Sequence, residues 1–235
     1  MKAVILAGGR GQRLAPYTTI LPKPLMPIGD VPIVEVVVRQ LKHAGFDDIT
    51  LAVGYLAELL MAYFGDGEKF GVQIHYSREQ SPLGTAGPLA LVPGLDEPFL
   101  VMNGDLLTTL DYGQLWQAHA AQGAIATLVT FQRDVQIDLG VIETGEEGQV
   151  RGYIEKPTYH YTVSTGIYVF EPAVLSFVPR GRRLDLPELV ARLLAAGHRV
   201  ATFPLHGYWL DIGRPDDYER ALTEFEAHRR EFLPE

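Results

Sequence analysis

The sequence lacks cysteine and holds a single asparagine, Asn103, among its 235 residues. Without cysteine the chain has no disulfide framework, no thiolate nucleophile and no cysteine-ligated zinc site. A long apolar segment is missing too, because the first run, Ala3–Ala7, meets two glycines after five residues. That is too short for a signal-peptide core or a membrane helix. We therefore expect a cytoplasmic protein that does not enter a membrane.

A basic excess is also missing, since 29 acidic residues outweigh 20 lysines and arginines and give a formal net charge of −9. This balance argues against a protein that binds nucleic acid. Apolar residues make up 47% of the chain, which is typical of a folded globular protein rather than a disordered one. The first 30 residues nevertheless hold Lys2, Arg10, Arg13 and Lys23 against Asp30 alone. The acidic total therefore does not exclude phosphate ligands.

Short β-branched runs alternate with longer helical patterns in the first 105 residues. Strands are predicted at Lys2–Ala7, Ile49–Val53, Val72–Tyr76 and Phe99–Met102, and helices at Pro32–Ala44, Ala57–Phe64 and Thr85–Leu91. This order predicts the α/β class, with a Rossmann-like mixed, mostly parallel sheet and helices on both faces.

The remainder of the chain has more closely spaced strands. Helices are predicted at Gln114–Ala121, at Leu186–Ala196 and from Pro215 to about Arg230, and strands at Ile125–Phe131, Gly140–Ile142, Val150–Ile154, Thr165–Phe170, Val200–Phe203 and Tyr208–Leu210. Composition never shifts enough to mark a boundary. We predict a single domain, residues 1–235, with a nucleotide half at about 1–110 and a substrate half at about 111–235. The histidines show no metal-ligand spacing, and His43, His119 and His228 are predicted on polar helix faces.

A glycine-rich segment follows the first strand. Gly8, Gly9 and Gly11 precede Arg13, and Lys23 follows between two prolines. Glycines let backbone N–H groups approach an anion, and a rigidly held cation stabilises charge that develops on a phosphoryl group. The spacing matches neither a Walker loop nor the G-x-G-x-x-G pattern. From the glycines alone, a tight turn with a solvated arginine is the alternative.

Two aspartates stand at the ends of predicted strands. Asp105 follows Asn103 and Gly104, and Asp211 precedes an Ile-Gly pair. Open α/β sheets place their ligand crevice at the carboxyl ends of strands, and proteins commonly hold Mg²⁺ with one or two carboxylates plus substrate phosphates. The two aspartates can bind Mg²⁺ if the fold brings them together. Alternatively, each caps a helix or closes a turn.

These segments together resemble the signature of the nucleoside-diphosphate-sugar pyrophosphorylases, which are sugar-1-phosphate nucleotidylyltransferases, and in particular of the mannose-1-phosphate guanylyltransferase type. The resemblance rests on Leu-Ala-Gly-Gly-Arg-Gly-Gln-Arg-Leu-Ala-Pro (6–16), Pro-Lys-Pro-Leu (22–25), Asn-Gly-Asp (103–105), Glu-Lys-Pro (155–157) and Asp-Ile-Gly-Arg-Pro-Asp-Asp-Tyr (211–218). Gln12 stands where the family usually has threonine, which removes a hydroxyl but leaves the backbone donors.

The resemblance spans nearly the whole chain and implies a glycosyltransferase-A-like nucleotidyltransferase fold. It also implies a member without the C-terminal left-handed β-helix of many relatives, so that a homo-oligomer would use other surfaces. Catalytic roles are implied for Arg13 and Lys23, and metal ligation for Asp105 and Asp211. The implied nucleotide-binding residues are Leu6, Ala7, Gly8, Gly9, Gly11, Glu79, Pro82, Gly84, Thr85 and Asn103.

The resemblance also implies that four residues of the substrate half bind the sugar phosphate: Gly140, Glu155, Lys156 and Ser164. Lys156 would neutralise the phosphate and Glu155 would accept from sugar hydroxyls. Ser164 and Thr165 stand where relatives often have Asn-Ala, which leaves the identity of the sugar open. Without the resemblance, Glu-Lys-Pro would be a surface turn.

Glu79 bears on the nucleobase. It begins the segment Glu-Gln-Ser-Pro-Leu-Gly-Thr-Ala-Gly (79–87), similar to a second family motif in which uridylyl- and thymidylyl-transferring relatives have glutamine. A carboxylate accepts two hydrogen bonds and guanine offers two adjacent donors, so Glu79 favours GTP over UTP. The alternative is an exposed glutamate in a loop.

The resemblance thus implies an enzyme that makes a nucleoside-diphosphate sugar and pyrophosphate from a nucleoside triphosphate and a sugar 1-phosphate, with Mg²⁺. GTP with mannose 1-phosphate, or a related hexose or heptose 1-phosphate, is favoured. A glucose-1-phosphate thymidylyl- or uridylyltransferase is one alternative. Transferases acting on molybdopterin or methylerythritol phosphate start similarly but lack the Glu-Lys-Pro and Asp-Ile-Gly segments. A non-catalytic module that senses nucleotide sugars should have lost a metal aspartate or a catalytic cation, and this chain keeps both.

Overall fold

The structure is a computed structural model that describes residues 1–233. Its strands are β1 (Lys2–Ala7), β2 (Pro27–Ile28), β3 (Val31–Pro32), β4 (Asp48–Val53), β5 (Gln73–Arg78), β6 (Phe99–Asn103), β7 (Leu106–Thr108), β8 (Ala126–Gln136), β9 (Val141–Thr144), β10 (Val150–Ile154), β11 (Thr158–Phe170), β12 (Val200–Pro204) and β13 (Trp209–Asp211). The α-helices are α1 (Ile33–His43), α2 (Ala57–Phe64), α3 (Tyr112–Gln122), α4 (Leu186–Ala195), α5 (Pro215–Ala227) and α6 (Arg229–Phe232). Short 3₁₀ helices cover Gln12–Leu14, Tyr17–Thr19, Lys23–Leu25, Glu68–Phe70, Gly87–Leu91, Glu146–Gly148 and Pro172–Phe177.

Seven strands form the central sheet, in the order β12-β8-β11-β6-β1-β4-β5. Strand β1 pairs in parallel with β4 and β6, and β4 pairs in parallel with β5. Strand β11 runs antiparallel to both of its neighbours, β6 and β8, and β12 pairs in parallel with β8. Within this sheet β11 therefore runs against the other strands. The predicted mixed, mostly parallel sheet is confirmed.

Both faces of the sheet are covered, because alternate residues of β1 point to opposite sides. Ala3 and Ile5 join an apolar cluster with helices α1, α2 and α3. Val4 joins a second cluster that includes Leu89 of a 3₁₀ helix and Leu189 of α4. A strand buried on both faces needs a continuous apolar run, which is what β1 has. Helices on both faces were predicted and are confirmed.

A third apolar cluster joins the C-terminal helices to the segment that follows the glycines. Phe225 of α5 and Phe232 of α6 are fully buried there with Leu14, Met26 and Leu210. The loop after β1 and the strand β13 are therefore held against each other by the last helices of the chain.

Strands β8 and β11 continue beyond the sheet as an antiparallel ladder, which pairs Thr158 with Gln136 at its far end. The hairpin β9–β10 connects them. We call residues 132–164 the arm. Its strands were predicted too short, as Ile125–Phe131 and Thr165–Phe170, because their outer residues cover no core and show no apolar alternation.

Three further predictions are wrong in detail. The expected helix Thr85–Leu91 is a shorter 3₁₀ helix with Pro88 in its first turn. The expected C-terminal helix is interrupted at His228, so α5 ends there and α6 follows. His119 is not on a polar face: it is 3% exposed, because α3 packs against the sheet and its ring meets Thr127 of β8.

The predicted single domain of residues 1–235 stays a prediction, and residues 234–235 of that range lie outside the described residues. Within residues 1–233, no helix has both the length and the apolar character needed to cross a membrane. The arm and the sheet are continuous through β8 and β11, whose pairing shifts register between Ser164 and Tyr168.

Candidate active site

A cleft of about 1160 Å³ opens at the carboxyl ends of β1, β4, β5 and β6. Parallel strands of an open α/β sheet end at one edge, which is where such folds place their ligands. The cleft is lined by every predicted catalytic and nucleotide-binding residue and by one of the two predicted metal ligands: Arg13, Lys23, Leu6, Ala7, Gly8, Gly9, Gly11, Glu79, Pro82, Gly84, Thr85, Asn103 and Asp105.

The glycine-rich loop turns sharply as it leaves β1. Gly11 has φ +60°, and a Cβ on it would lie 2.9 Å from Cγ2 of Thr18. The Thr18 hydroxyl donates to the Gly11 carbonyl at 2.9 Å, which fixes the turn. A Cβ on Gly9, in contrast, would meet no atom within 4 Å. The loop is therefore held at Gly11 and open at Gly9, as a backbone that approaches a ligand needs to be.

Lys23 lies at the centre of the charged part of the cleft. It is 8% exposed and begins the 3₁₀ helix Lys23–Leu25, where Pro22 and Pro24 restrict its backbone. Its Nζ donates a short hydrogen bond to Oδ2 of Asp105 and lies 3.8 Å from Oδ1 of Asp211. One lysine therefore links the two predicted metal ligands.

The two aspartates meet because β7 pairs with β13. Asp211 lies opposite Leu106, the residue after Asp105, and the Ile212 N–H donates to the Asp105 carbonyl at 3.1 Å. Partial burial and the neighbouring Asp105 charge raise the pKa of Asp211, against the lowering effects of Lys23 and Arg13. The structure thus brings together two carboxylates that lie far apart in the sequence.

This pair of carboxylates fits a divalent cation. Within residues 1–233, Oδ1 of Asp105 is buried and has no hydrogen-bond partner. A buried acceptor without a partner destabilises the fold, and a bound cation would offset that penalty. No group of three or more His, Asp or Glu side chains suited to a metal occurs in the same residues. Two carboxylates with room for phosphate oxygens are the donor set of Mg²⁺ rather than of a closed structural site.

Glu79 is folded inward across the strand ends. Its Oε1 lies so close to the backbones of Gly8 and Gly54 that a Cβ on either would come within 3.0 or 2.9 Å of it. Its Oε2 accepts a hydrogen bond from the Leu83 N–H at 2.9 Å. Glu79 is half-buried rather than exposed in a loop, so the alternative of an ordinary solvated glutamate is wrong.

Sequence reasoning missed several residues that line the cleft, among them Tyr55, Arg78, Arg183 and Asp185. Arg183 and Asp185 come from the substrate half of the chain and form an ion pair with 3.1 Å between Nη2 and Oδ2. No motif marks them, and the fold alone brings them beside Thr85.

All four residues predicted to bind the sugar phosphate belong to the arm, and none of them lines the cleft. Gly140 lies directly beneath the phenol of Tyr153, whose hydroxyl donates to Oε2 of Glu155 at 3.1 Å. The next residue, Lys156, has a φ of +46°, which is rare outside glycine. Backbone of this kind costs free energy and is concentrated at functional sites.

Ser164 lies at the base of the arm, where its hydroxyl and that of Tyr168 are 3.0 Å apart. Gly166 follows with φ +79°, and a Cβ there would lie 2.6 Å from Nδ2 of Asn103. Gly166, two residues after the arm ends, therefore lies against the single asparagine of the chain, which lines the cleft two residues before Asp105.

A comparison with protein families decides what this arrangement belongs to. The family described as Nucleotidyl transferase matches residues 2–228. The chain belongs to the nucleotidyl transferase family. The resemblance found in the sequence motifs is thereby confirmed.

Relatives in this family carry different substrate names. The chain is 37% identical over 242 residues to the UTP–glucose-1-phosphate uridylyltransferase of Synechocystis sp., covering 94% of this chain and 62% of that protein. It is 35% identical over 244 residues to the mannose-1-phosphate guanyltransferase of Schizosaccharomyces pombe, covering 100% of this chain and 67% of that protein. The chain therefore spans only about two thirds of the length of these relatives.

Two solved structures share the fold of this chain. The Bacillus anthracis protein assigned as a glucose-1-phosphate thymidylyltransferase superposes with a TM-score of 0.77 at 25% identity, covering 95% of this chain and 94% of that chain. HddC from Yersinia pseudotuberculosis gives a TM-score of 0.73 at 23% identity, covering 95% and 99%. The α/β nucleotidyltransferase fold expected from the sequence is confirmed.

Proposed function

We propose that this nucleotidyl transferase makes a nucleoside-diphosphate sugar and pyrophosphate from a nucleoside triphosphate and a sugar 1-phosphate. The observation that carries the proposal is Lys23, which lies beside Gly11 of the glycine-rich loop and pairs with both Asp105 and Asp211. The names of the relatives, which specify sugar 1-phosphates, support it.

The chemistry is a phosphoryl transfer without a protein nucleophile. An oxygen of the sugar phosphate attacks the α-phosphorus and forms the new O–P bond, while the bond from the α-phosphorus to the bridging oxygen breaks and pyrophosphate leaves. Such a reaction needs positioning and stabilisation of charge. Arg13 and Lys23 would stabilise the charge that develops on the α-phosphate and the leaving pyrophosphate. The backbone N–H groups around Gly9 would hold the triphosphate.

Asp105 and Asp211 would hold Mg²⁺. When bound, the ion supplies charge neutralisation for the phosphate oxygens. The unmatched Oδ1 of Asp105 supports this role, as does the raised pKa of Asp211, because a neighbouring cation relieves the repulsion between the two carboxylates. The ammonium group of Lys23 would then orient Asp105 and partly neutralise its negative charge.

The arm would bind the sugar phosphate. Lys156 offers an exposed ammonium, and Glu155 lies next to it with an acceptor that Tyr153 orients. The positive φ of Lys156 supports a binding role, because strained backbone is concentrated at functional sites. The proposal includes the cytoplasmic location and a substrate half in the second part of the chain.

Guanosine triphosphate with mannose 1-phosphate, or a related hexose or heptose 1-phosphate, is the preferred substrate pair in this proposal. The inward position of Glu79 supports guanine, since an acceptor-only carboxylate lies at the nucleobase end of the cleft. The Leu83 N–H uses one lone pair of Oε2 and leaves acceptor capacity on both oxygens.

Uridylyl or thymidylyl transfer to glucose 1-phosphate is the second candidate. The observation in its favour is the 37% identity to a UTP–glucose-1-phosphate uridylyltransferase, a value similar to that for the guanyltransferases. Glu79 stands against it, because the mixed donor and acceptor edge of uracil matches a glutamine amide better than a carboxylate.

Pyrophosphate release tests the proposal directly. Purified protein would be assayed with Mg²⁺ and each of GTP, UTP, dTTP and ATP against mannose, glucose, heptose and hexosamine 1-phosphates. We expect release only when both substrates are present, with GTP used most efficiently. No release from any pair would contradict the reaction. Higher kcat/KM with UTP or dTTP than with GTP would contradict the guanine preference alone.

A further inference from the structure

The loop that contains Glu79 and its hydrogen-bond partner Leu83 is held by residues from the second half of the chain. We call residues 79–87 the base loop and residues 183–186 the clamp. The Leu184 N–H donates to the Leu83 carbonyl at 2.9 Å. The Leu184 carbonyl in turn accepts from the N–H groups of Ala86 at 2.8 Å and Gly87 at 3.0 Å. The base loop is therefore hydrogen-bonded to the clamp through the backbone on both sides of Gly84.

Asp185 adds a side chain to this backbone pairing. Its Oδ1 accepts a hydrogen bond from the Thr85 N–H at 3.0 Å. The same oxygen lies where a Cβ on Gly84 would come within 2.6 Å of it, and Gly84 has φ +78°. Glycine is therefore required at this position, both for its conformation and for the close approach of the Asp185 carboxylate.

The position of Asp185 at the start of α4 makes this contact unusual. An aspartate at the N-cap ordinarily accepts from the backbone of its own helix. Here the Asp185 side chain makes no such bond. The Thr85 hydroxyl instead accepts from the Leu186 N–H at 2.8 Å. The Thr85 hydroxyl of the base loop therefore caps α4, and the Asp185 carboxylate accepts a hydrogen bond from the base loop instead.

The clamp also reaches Glu79. The Leu83 N–H donates to Oε2 of Glu79, and the Leu83 carbonyl accepts from Leu184. Leu83 thus joins the clamp, through its carbonyl, to the Glu79 carboxylate, through its N–H. A displacement of the base loop would change the direction of that carboxylate.

We propose that Asp185 is a positioning residue for nucleobase recognition: by holding the Thr85 N–H it keeps the base loop, and through Leu83 the Glu79 carboxylate, in the conformation that binds the nucleoside triphosphate. The inference rests on the proposed function in one respect, namely that the base lies at Glu79. The ion pair of Asp185 with Arg183 is secondary, because the Arg183 side chain is 72% exposed and such pairs contribute little.

The test compares Asp185→Ala with Asp185→Asn. The alanine variant leaves the Thr85 N–H without its acceptor, and we expect the KM for the nucleoside triphosphate to rise about tenfold. We expect kcat and the KM for the sugar phosphate to stay within about twofold, because Lys23 pairs with Asp105 and Asp211, whereas Asp185 bonds to Thr85 and Arg183. The asparagine variant keeps an oxygen for the Thr85 N–H, so its KM should return to within about threefold of wild type.

Glu188→Ala is the matched control, since Glu188 lies on α4 and pairs with Arg192 away from the base loop. It should leave all three constants unchanged. If Asp185→Ala does not fold, as shown by its thermal unfolding, Thr85→Ala takes its place. That change removes the acceptor of the Leu186 N–H, and a rise of about threefold in the same KM is expected.

Three results would overturn the inference: an unchanged nucleotide KM in Asp185→Ala and in Thr85→Ala, a loss confined to kcat, or an asparagine variant as impaired as the alanine variant. Titration calorimetry with GTP and UTP separates this from the proposed function. If wild type releases no pyrophosphate with any pair, the proposed function fails, and weaker nucleotide binding by Asp185→Ala would still support the clamp. If wild type turns over and the variant keeps its nucleotide KM, the clamp alone fails.

Discussion

The cleft and the arm present the side chains that are predicted to bind substrate in opposite ways. In the cleft, Lys23 is 8% exposed and is held by prolines and by the Asp105 carboxylate. On the arm, Lys156 is exposed, and apolar neighbours such as Leu139 and Tyr153 are 74% and 63% exposed. Three apolar clusters support the cleft, whereas the outer arm is held by strand pairing and by exposed side-chain contacts such as that between His160 and Asp134.

This difference indicates that the cleft and the arm have different roles in substrate binding. A reaction centre gains most from groups that are already in place, because fixed charges need no reorganisation during the reaction. A segment with few buried contacts opens and moves at little cost in free energy. We therefore expect the cleft to be preorganised for the nucleotide and the arm to become ordered when the sugar phosphate binds.

The largest expected effect lies at the metal pair. Asp105→Asn removes the negative charge that pairs with Lys23 and would hold the proposed Mg²⁺, and we expect kcat to fall by about 1,000-fold or more. Pyrophosphate release at saturating substrates measures this. Asp96→Asn is the control, because Asp96 pairs with Lys2 at the other end of β1. Near-normal turnover by Asp105→Asn would remove the metal assignment.

Loss of the cation on the arm should have a smaller and more selective effect. Lys156→Ala removes a charged donor to the acceptor phosphate, and we expect the KM for the sugar phosphate to rise about 30-fold. The nucleotide KM should not change. Lys69→Ala serves as control, since Lys69 lies over the Tyr63 ring, outside the cleft. A change confined to the nucleotide KM would show that Lys156 contributes to nucleotide binding and not to binding of the sugar phosphate.

Exchange at Glu79 should redirect the cleft without disabling it. Glu79→Gln keeps an oxygen for the Leu83 N–H but adds a donor, so we expect the ratio of kcat/KM for GTP to that for UTP to fall about tenfold. Parallel initial rates with the two nucleotides give this ratio. An unchanged ratio would mean that Glu79 does not read the base.

The smallest effect concerns the ends of β8 and β11 that lie away from the arm, where Thr127 pairs with Val169. His119 is buried between Thr127 of β8 and Glu171, which directly follows β11; its Nε2 lies 3.3 Å from Oε1 of Glu171. Burial lowers the pKa of His119 below its ordinary value of 6.5, despite the opposing effect of Glu171. The unfolded state therefore takes up a proton first as the pH falls, and stability is lost through this group below that value.

Denaturant unfolding across pH measures this contribution. The free energy of unfolding of wild type should fall more steeply between about pH 7 and pH 5 than that of His119→Gln. His43→Gln, which changes an exposed histidine, should follow wild type. Equal slopes for wild type and His119→Gln would show that the two long strands are not anchored through this residue.

Much of the cleft was predictable because its residues are local to strand ends. Strand β1 and helix α2 match their predicted limits. The glycines follow β1 and Asp105 follows β6, and a parallel sheet places the ends of such strands together. The pairing of Asp105 with Asp211 could be proposed from chemistry, but their meeting depends on β7 and β13, which only the fold shows.

The rest lacked a local signal. The outer strands of the arm are solvated on both faces, so no apolar alternation marks them. Asp185 stands at an ordinary helix start, and its task is visible only when the base loop lies against it. His119 was expected on a polar face because single-sequence patterns cannot foresee a buried polar network.

Hydrogen–deuterium exchange tests most directly whether the cleft binds the nucleotide and the arm binds the sugar phosphate. Wild type would be measured free, with the preferred nucleoside triphosphate alone, and with the nucleoside-diphosphate sugar that it makes. The account predicts that the triphosphate slows exchange in residues 6–13 and 79–87 and leaves the arm, residues 132–164, as in the free protein. The nucleotide sugar should slow the arm as well. Protection of the arm by the triphosphate alone, or an arm that the nucleotide sugar leaves unprotected, would contradict it.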